Sequence, residues 1–185
     1  MTQEIYVGNI KEVLRSKGLL EKELEISLTN KGKLVFIDGS GENEYLGLKV
    51  LEAINLGFSA EKALELKDEE VILHVLNIKD ITKRNDIERV RARIIGTEGK
   101  TLSTLETLTD CNVCLHNNQV GIIGNVEAIE SAIIGVRCLI QGSKQANVYT
   151  KLEHQKKERR LNPESSMRIK NELKSRRKTL NKENS

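Results

Sequence analysis

The period of the apolar residues changes repeatedly along this chain, and the changes mark its elements. Residues 4–7 read as a short strand. Residues 10–24 carry Val13, Leu14, Leu19 and Leu20 on one side at helical spacing, interrupted near Lys17-Gly18. Leu24, Ile26 and Leu28 then alternate with Glu25, Ser27 and Thr29, the pattern of a half-buried strand over 24–29. Asn30-Lys31-Gly32 predicts a turn into a strand at 34–37, giving a hairpin. After a loop at 38–41, Asn43 is the expected cap of a helix to Leu56, with Leu46, Val50, Leu51 and Ile54 at helical spacing. Gly57 ends that helix, and Ser59 starts a short one through Leu66.

The second half repeats the plan. A strand is expected at 71–78, a helix at 86–95, a tight loop at 96–99, a helix at 100–109, strands at 112–115 and 120–123, and a helix from about Asn125 to Ile140 closed by Gly142. The order strand, helix, helix, strand, strand, helix therefore occurs twice, with roughly 90 residues between copies. Each unit predicts an antiparallel three-stranded sheet with helices on one face, an α+β layout. The expected divisions are 1–68, 69–148 and a basic, helical or disordered tail at 149–185.

Charge sharpens the picture. Residues 149–185 hold 12 of the chain's 30 Lys and Arg but only 5 of its 27 acidic residues, so the body is slightly negative and the tail positive. That asymmetry suits contact with nucleic acid or an acidic partner. No apolar run reaches the ~18 residues of a membrane span, and no secretory signal opens the chain, so a cytoplasmic location is expected. Three cysteines make no disulfide framework. Tyr6, Phe36, Phe58, Tyr45 and Tyr149 are the only aromatics, a poor basis for folds that stack bases on aromatic rings.

The stretch Arg91-Ala92-Arg93-Ile94-Ile95-Gly96-Thr97-Glu98-Gly99-Lys100-Thr101-Leu102 carries the candidate chemistry. Two glycines three apart join two helices, so the backbone turns sharply and another backbone can lie against it. The first-turn amides of the following helix face the same spot and suit a phosphate. Lys100 and the arginines add positive charge. This loop, with a strand ahead and a hairpin and helix behind, resembles the K-homology (KH) domain, whose GxxG loop clamps about four nucleotides of single strand.

Residues 91–120, the phrase Leu56-Gly57-Phe58-Ser59-Ala60-Glu61-Lys62-Ala63-Leu64, and Val148-Tyr149-Thr150-Lys151-Leu152-Glu153 together resemble the archaeal relatives of the tandem-KH pre-ribosomal RNA processing family known as partner of Nob, over roughly residues 4–160. The resemblance implies two tandem type I KH units and a non-catalytic small-subunit assembly factor. It also implies binding near the 3′ end of small-subunit ribosomal RNA, with a Nob-like endonuclease and an initiation-factor subunit as partners. It carries the RNA-gripping role onto Gly96, Thr97, Glu98 and Gly99, with Lys100 and Thr101 beside them. Ile95, Thr104, Arg91 and Arg93 complete the expected RNA-binding set. The first unit has Arg15-Ser16-Lys17-Gly18 where the loop is expected, which marks it as degenerate and suits it to packing, protein contact or weaker RNA contact.

Alternatives are a general KH regulator or RNA-decay subunit and, in another class, a protein–protein adaptor for which RNA is incidental. No catalytic constellation, metal site or cofactor is expected. Cys111 and Cys114 lack a second ligand pair and sit at an odd strand spacing that sends them to opposite faces. Buried apolar thiols are the expected reading. Gly39-Ser40-Gly41 lacks the remaining features of a nucleotide-binding loop.

Overall fold

A computed structural model describes residues 3–83 and 85–161 of the 185-residue chain. Strands β1 (Gln3–Tyr6), β2 (Ser27–Lys31) and β3 (Leu34–Asp38) form one antiparallel sheet in the order β1-β3-β2. Strands β4 (Val71–Asn77), β5 (Asn112–His116) and β6 (Gln119–Asn125) form a second, in the order β4-β6-β5. Helices α1 (Ile10–Arg15), α2 (Lys17–Leu24), α3 (Gly41–Asn55) and α4 (Ala60–Leu64) belong to the first half. The second half contributes α5 (Ile78–Ile81), α6 (Ile87–Ile95), α7 (Lys100–Thr109), α8 (Val126–Gln141) and α9 (Gln145–Leu161). Both halves thus adopt the α+β order and the central third strand of the type I KH plan.

The alternation along each strand fixes which face is buried. In β3, Val35 and Ile37 are buried and Leu34 and Asp38 are exposed. In the second sheet the alternation splits apolar residues between two clusters. Ile72, Leu76, Val113, Val120 and Ile122 face the helices α6 to α9. Val71, Leu73, Val75, Cys114 and Ile123 face the other way and pack with Leu56, Phe58 and Leu66 of the first half. The second sheet is therefore covered on both faces, by its own helices and by the first unit.

Gly121, in the central strand, makes that covering possible. A Cβ there would lie 2.7 Å from Cε2 of Phe58, inside any tolerable contact. Around the apolar centre runs a polar rim. Lys62 Nζ donates to Glu106 Oε1 (3.2 Å), the same oxygen accepts from the Val113 amide (3.0 Å), and Asn112 Nδ2 donates to Glu65 Oε2 (2.8 Å).

Several elements depart from the periodicity. Helix α2 runs through Leu24 and ends at Glu25 in the left-handed region (φ 53°), so β2 begins at Ser27 and not at 24. The alternation of Leu24, Ile26 and Leu28 survives because helix end and strand both turn these residues inward. Asn43 does not cap α3. Ser40 does, its Oγ accepting from the Asn43 amide at 3.4 Å. A serine oxygen one residue ahead of the helix reaches the amide three residues on, whereas Asn43 already lies in the first turn. Asn77 halts β4 before Ile78, its Oδ1 accepting from the Lys79 amide (3.1 Å) to open the one-turn α5.

Helix α9 runs across the division expected at 149, and it is packed. Val148 and Leu152 are buried in the second core, and Leu152 contacts α8 so closely that a Cβ on Gly135 would be 3.0 Å from its Cδ1. The expected tail beyond 161 lies outside the described residues. Among the described residues no helix is long and apolar enough to cross a membrane.

Leu152→Ala is expected to cost about 2–5 kcal/mol, because it empties a fully buried site walled by two helices. Urea unfolding followed by circular dichroism measures it.

Candidate nucleic-acid interface

Helix α6 has one strongly apolar side, with Val90 and Ile94 buried, and it ends where glycine permits a sharp exit. Gly96 has φ 74° and ψ 177°, a region essentially reserved for glycine. One 3-10 turn, Thr97–Gly99, follows, with Glu98 (φ 52°) and Gly99 (φ 75°) both left-handed. Lys100 then opens α7.

The two glycines serve different purposes. A Cβ on Gly96 would collide with Thr101 Oγ1 and lie 2.8 Å from the Thr101 nitrogen, so this glycine is fixed by a close internal approach. A Cβ on Gly99 would meet nothing within 4 Å, so that side of the loop is open. Thr97 and Glu98 are not buried either. Gly99 offers no side chain to cap α7, which leaves its first-turn amides without a side-chain partner. Open backbone, helix N-terminus and accessible loop side chains coincide at one place, the arrangement that receives an anionic backbone.

Behind the loop the structure is bolted down. Gln145, at the start of α9, donates through Nε2 to Thr101 Oγ1 (2.9 Å) and to the Arg93 carbonyl (3.4 Å). Arg93 donates through one terminal nitrogen to the carbonyls of Gly142 (2.9 Å) and Ser143. This guanidinium holds the end of α8 against α6, so Arg93 positions the loop from behind. Gln145, Gly142 and Ser143 stand outside the set expected from sequence. Nothing local marks them, since their contacts span more than forty residues of chain.

The remaining expected residues divide. Lys100 projects into solvent, its Nζ 3.5 Å from Glu98 Oε2 in a hydrated pair that a phosphate can replace at little cost. Ile95 is 38% exposed beside the loop, an apolar surface next to the open backbone. Thr104 lies one turn along α7, where its Oγ1 donates to the Lys100 carbonyl (2.8 Å). Thr101 is buried and acts as the loop's inner wall. Arg91 is half-buried, with Nε lacking a hydrogen-bond partner.

The first unit has no such loop. Ser16 joins α1 to α2 at φ −103°, Gly18 lies inside α2, and no residue of 15–18 is left-handed. With Arg15 where a glycine would stand, the two helices meet through a helical kink.

Other signals resolve as structure. The Cys111 thiol is pushed up to about 11, chiefly by burial, and that of Cys114 is raised for the same reason. Cys111 lies in the helix-side cluster and Cys114 against the first unit, on opposite faces. Among the described residues no group of His, Cys, Asp and Glu gathers to hold a metal. His74 is half-buried on β4, its pKa lowered by burial and then by Arg137.

A family model for the second KH domain of PNO1 proteins, described as a eukaryotic-type, type I KH domain, matches residues 72–157. A KH domain-containing protein of Methanocaldococcus jannaschii is 33% identical over 156 residues, covering 80% of this chain and 66% of that protein. The pre-rRNA-processing protein PNO1 of Debaryomyces hansenii is 29% identical over 109 residues, 57% of this chain and 43% of that protein. Among solved structures, one chain from an a/eIF2alpha–aDim2p–rRNA complex of Pyrococcus horikoshii superposes with a TM-score of 0.77 at 27% identity, covering 85% of this chain and 95% of that one. The chain thus spans just under two thirds of the first of these curated relatives and less than half of the second.

The two glycines are expected to respond differently to one added methyl. Gly99→Ala meets only left-handed strain, about 1 kcal/mol. Gly96→Ala adds collision with Thr101 and is expected to cost at least about 2 kcal/mol. Equal losses in urea melts would show that Thr101 does not wall the loop.

Proposed function

The chain belongs to the PNO1-like family of KH proteins, and we propose that it is a single-stranded RNA-binding factor of small-subunit ribosome assembly that grips RNA at Gly96-Thr97-Glu98-Gly99. The observation that carries this reading is the loop's division into a locked side at Gly96 and an open side at Gly99, above an uncapped helix N-terminus. The ribophosphate backbone passes Gly99 and the first amides of α7, Lys100 leaves Glu98 for a phosphate, and a base lies against Ile95. Arg93, Thr101 and Gln145 hold the loop from behind.

The target is the 3′ region of small-subunit ribosomal RNA. Two likenesses support a ribosomal RNA target, the Pyrococcus structure being a complex with rRNA and the Debaryomyces relative being named a pre-rRNA-processing protein, and the 3′ region is what the sequence resemblance implies. An initiation-factor α subunit is a partner on the ground of the same Pyrococcus complex, and a Nob-like endonuclease is a further one on the sequence resemblance alone. The protein acts by binding and not by catalysis, in the cytoplasm. Residues 69–148, with α9 packed on them, form the gripping unit, and the described part of residues 1–68 forms the support that covers its sheet.

Thr97→Asp with Glu98→Asp sets two short carboxylates where phosphates pass. RNA affinity is expected to fall at least about tenfold, with the circular dichroism melt unchanged. Unchanged binding by fluorescence anisotropy removes the loop as the grip. Crosslinking in cells followed by sequencing is expected to map to the 3′ end of small-subunit rRNA. Crosslinks confined to messenger RNA would retain the grip and reject the ribosomal role.

A further inference from the structure

Among the described residues the outer face of the second sheet is covered and that of the first is not. On the first, Val35, Ile37 and Leu28 turn inward, so Leu34, Phe36, Thr29 and Lys31 turn outward with Tyr6 and Glu4 of β1. Register places Tyr6 opposite Leu34 and Glu4 opposite Phe36, while Lys31 faces Leu34 from the other side. Tyr6 and Phe36 are thus diagonal neighbours on adjacent strands, about 7–8 Å apart at the backbone. Tyr6 is 58% exposed and Leu34 41%, while Phe36 is half-buried between them and Asp38. Two of the chain's five aromatic residues stand on this one open surface.

Each ring has its own cation. Lys33 Nζ lies 5.9 Å from the Tyr6 ring centre and Lys31 Nζ 6.0 Å from that of Phe36. These distances are at the outer limit of a cation–π contact, so the ammonium groups leave the rings readily. Diagonal aromatic faces on a twisted sheet, with loosely held cations beside them, match the demands of an extended polynucleotide. Bases supply flat π-faces at intervals, and phosphates run alongside. A protein partner fits less well. The apolar area is three side chains, and a stable protein interface needs about 800 Å² per partner around a desolvated core. Two acidic residues share the face, Glu4 opposite Phe36 on β1 and Asp38 two residues along β3, both toward the end of the sheet away from Lys31.

We propose that the open face of the first sheet is a second contact surface for single-stranded RNA, stacking bases on Tyr6 and Phe36 and meeting phosphates with Lys31 and Lys33. The proposal rests on the chain being an RNA binder, but on a surface separate from the loop. It gives the unit that lacks the glycine loop a way of holding RNA that requires no glycine turn.

The chain contains no tryptophan, so Phe36→Trp places a single indole reporter on this face. Titrating the full chain with a uridine homopolymer is expected to quench the indole emission, and to do so also when Thr97→Asp and Glu98→Asp disable the loop. Tyr6→Leu with Phe36→Leu keeps the face apolar and is expected to weaken anisotropy-measured affinity at least about fivefold with the fold retained. An indole undisturbed by homopolymer that anisotropy registers as bound overturns this proposal alone and leaves the loop reading standing. An intact chain that binds no RNA by anisotropy overturns this proposal and the loop reading together.

Discussion

Everything in this molecule depends on the burial of the outer face of the second sheet. Val71, Leu73, Val75 and Ile123 make that face as apolar as the face beneath its helices. A three-stranded sheet cannot leave both faces wet at that composition. The first unit supplies the cover, with Leu56 and Phe58 pressed onto Gly121 and Cys114. Cys114 Sγ lies 3.2 Å from the Leu56 carbonyl, close enough that the strand and the helix end have no room between them. Because the cover approaches from the sheet side, the first unit leaves the helical side that carries Gly96 to Gly99 clear.

That geometry gives physical meaning to the phrase running from Leu56 to Leu64. Gly57 ends α3 with φ 100° and brings its backbone toward Cys114, Phe58 fills the space above Gly121, and Ser59 caps α4 through its Oγ to the Lys62 amide. Lys62 then reaches Glu106 on α7, the helix whose first turn forms part of the loop. The phrase is thus an interface segment. Its residues are dictated by another unit's sheet and not by their own helix, which is why they are more distinctive than a helix–turn–helix of the same length would be.

Element order, both hairpins, the repeat and the loop's place between two helices were legible in the chain, because each is written in local periodicity and in glycine spacing. The tightness of Gly96 against Thr101 was half legible: the glycine implied a close approach, but not which atom it approached. The bolts behind the loop were not legible. Gln145 lies 44 residues from Thr101, and a lone glutamine after a helix-ending glycine has no pattern that announces a long-range bond. Helix α9 was understated for a related reason. Only Val148 and Leu152 of its 17 residues are buried, so its apolar stripe is too thin for periodicity to register, although those two side chains hold it to the core.

The two halves share one topology, but the tandem cannot use both copies identically. To lock the pair, one sheet must surrender its outer face, and the second does so. The loop, on the opposite side of that unit, is indifferent to the loss. The first unit covers its neighbour with the end of α3 and with α4, and among the described residues nothing covers the outer face of its own sheet. Its helix junction lacks the left-handed residues needed to turn a backbone outward. Each unit therefore retains an exposed surface of a different kind, a sharp glycine bend in one and a face of two rings and charged side chains in the other. This asymmetry follows from burying a single sheet face between two similar folds. It is why the exposed feature of the second unit is built of glycines and backbone amides, and that of the first of surface rings and charged side chains.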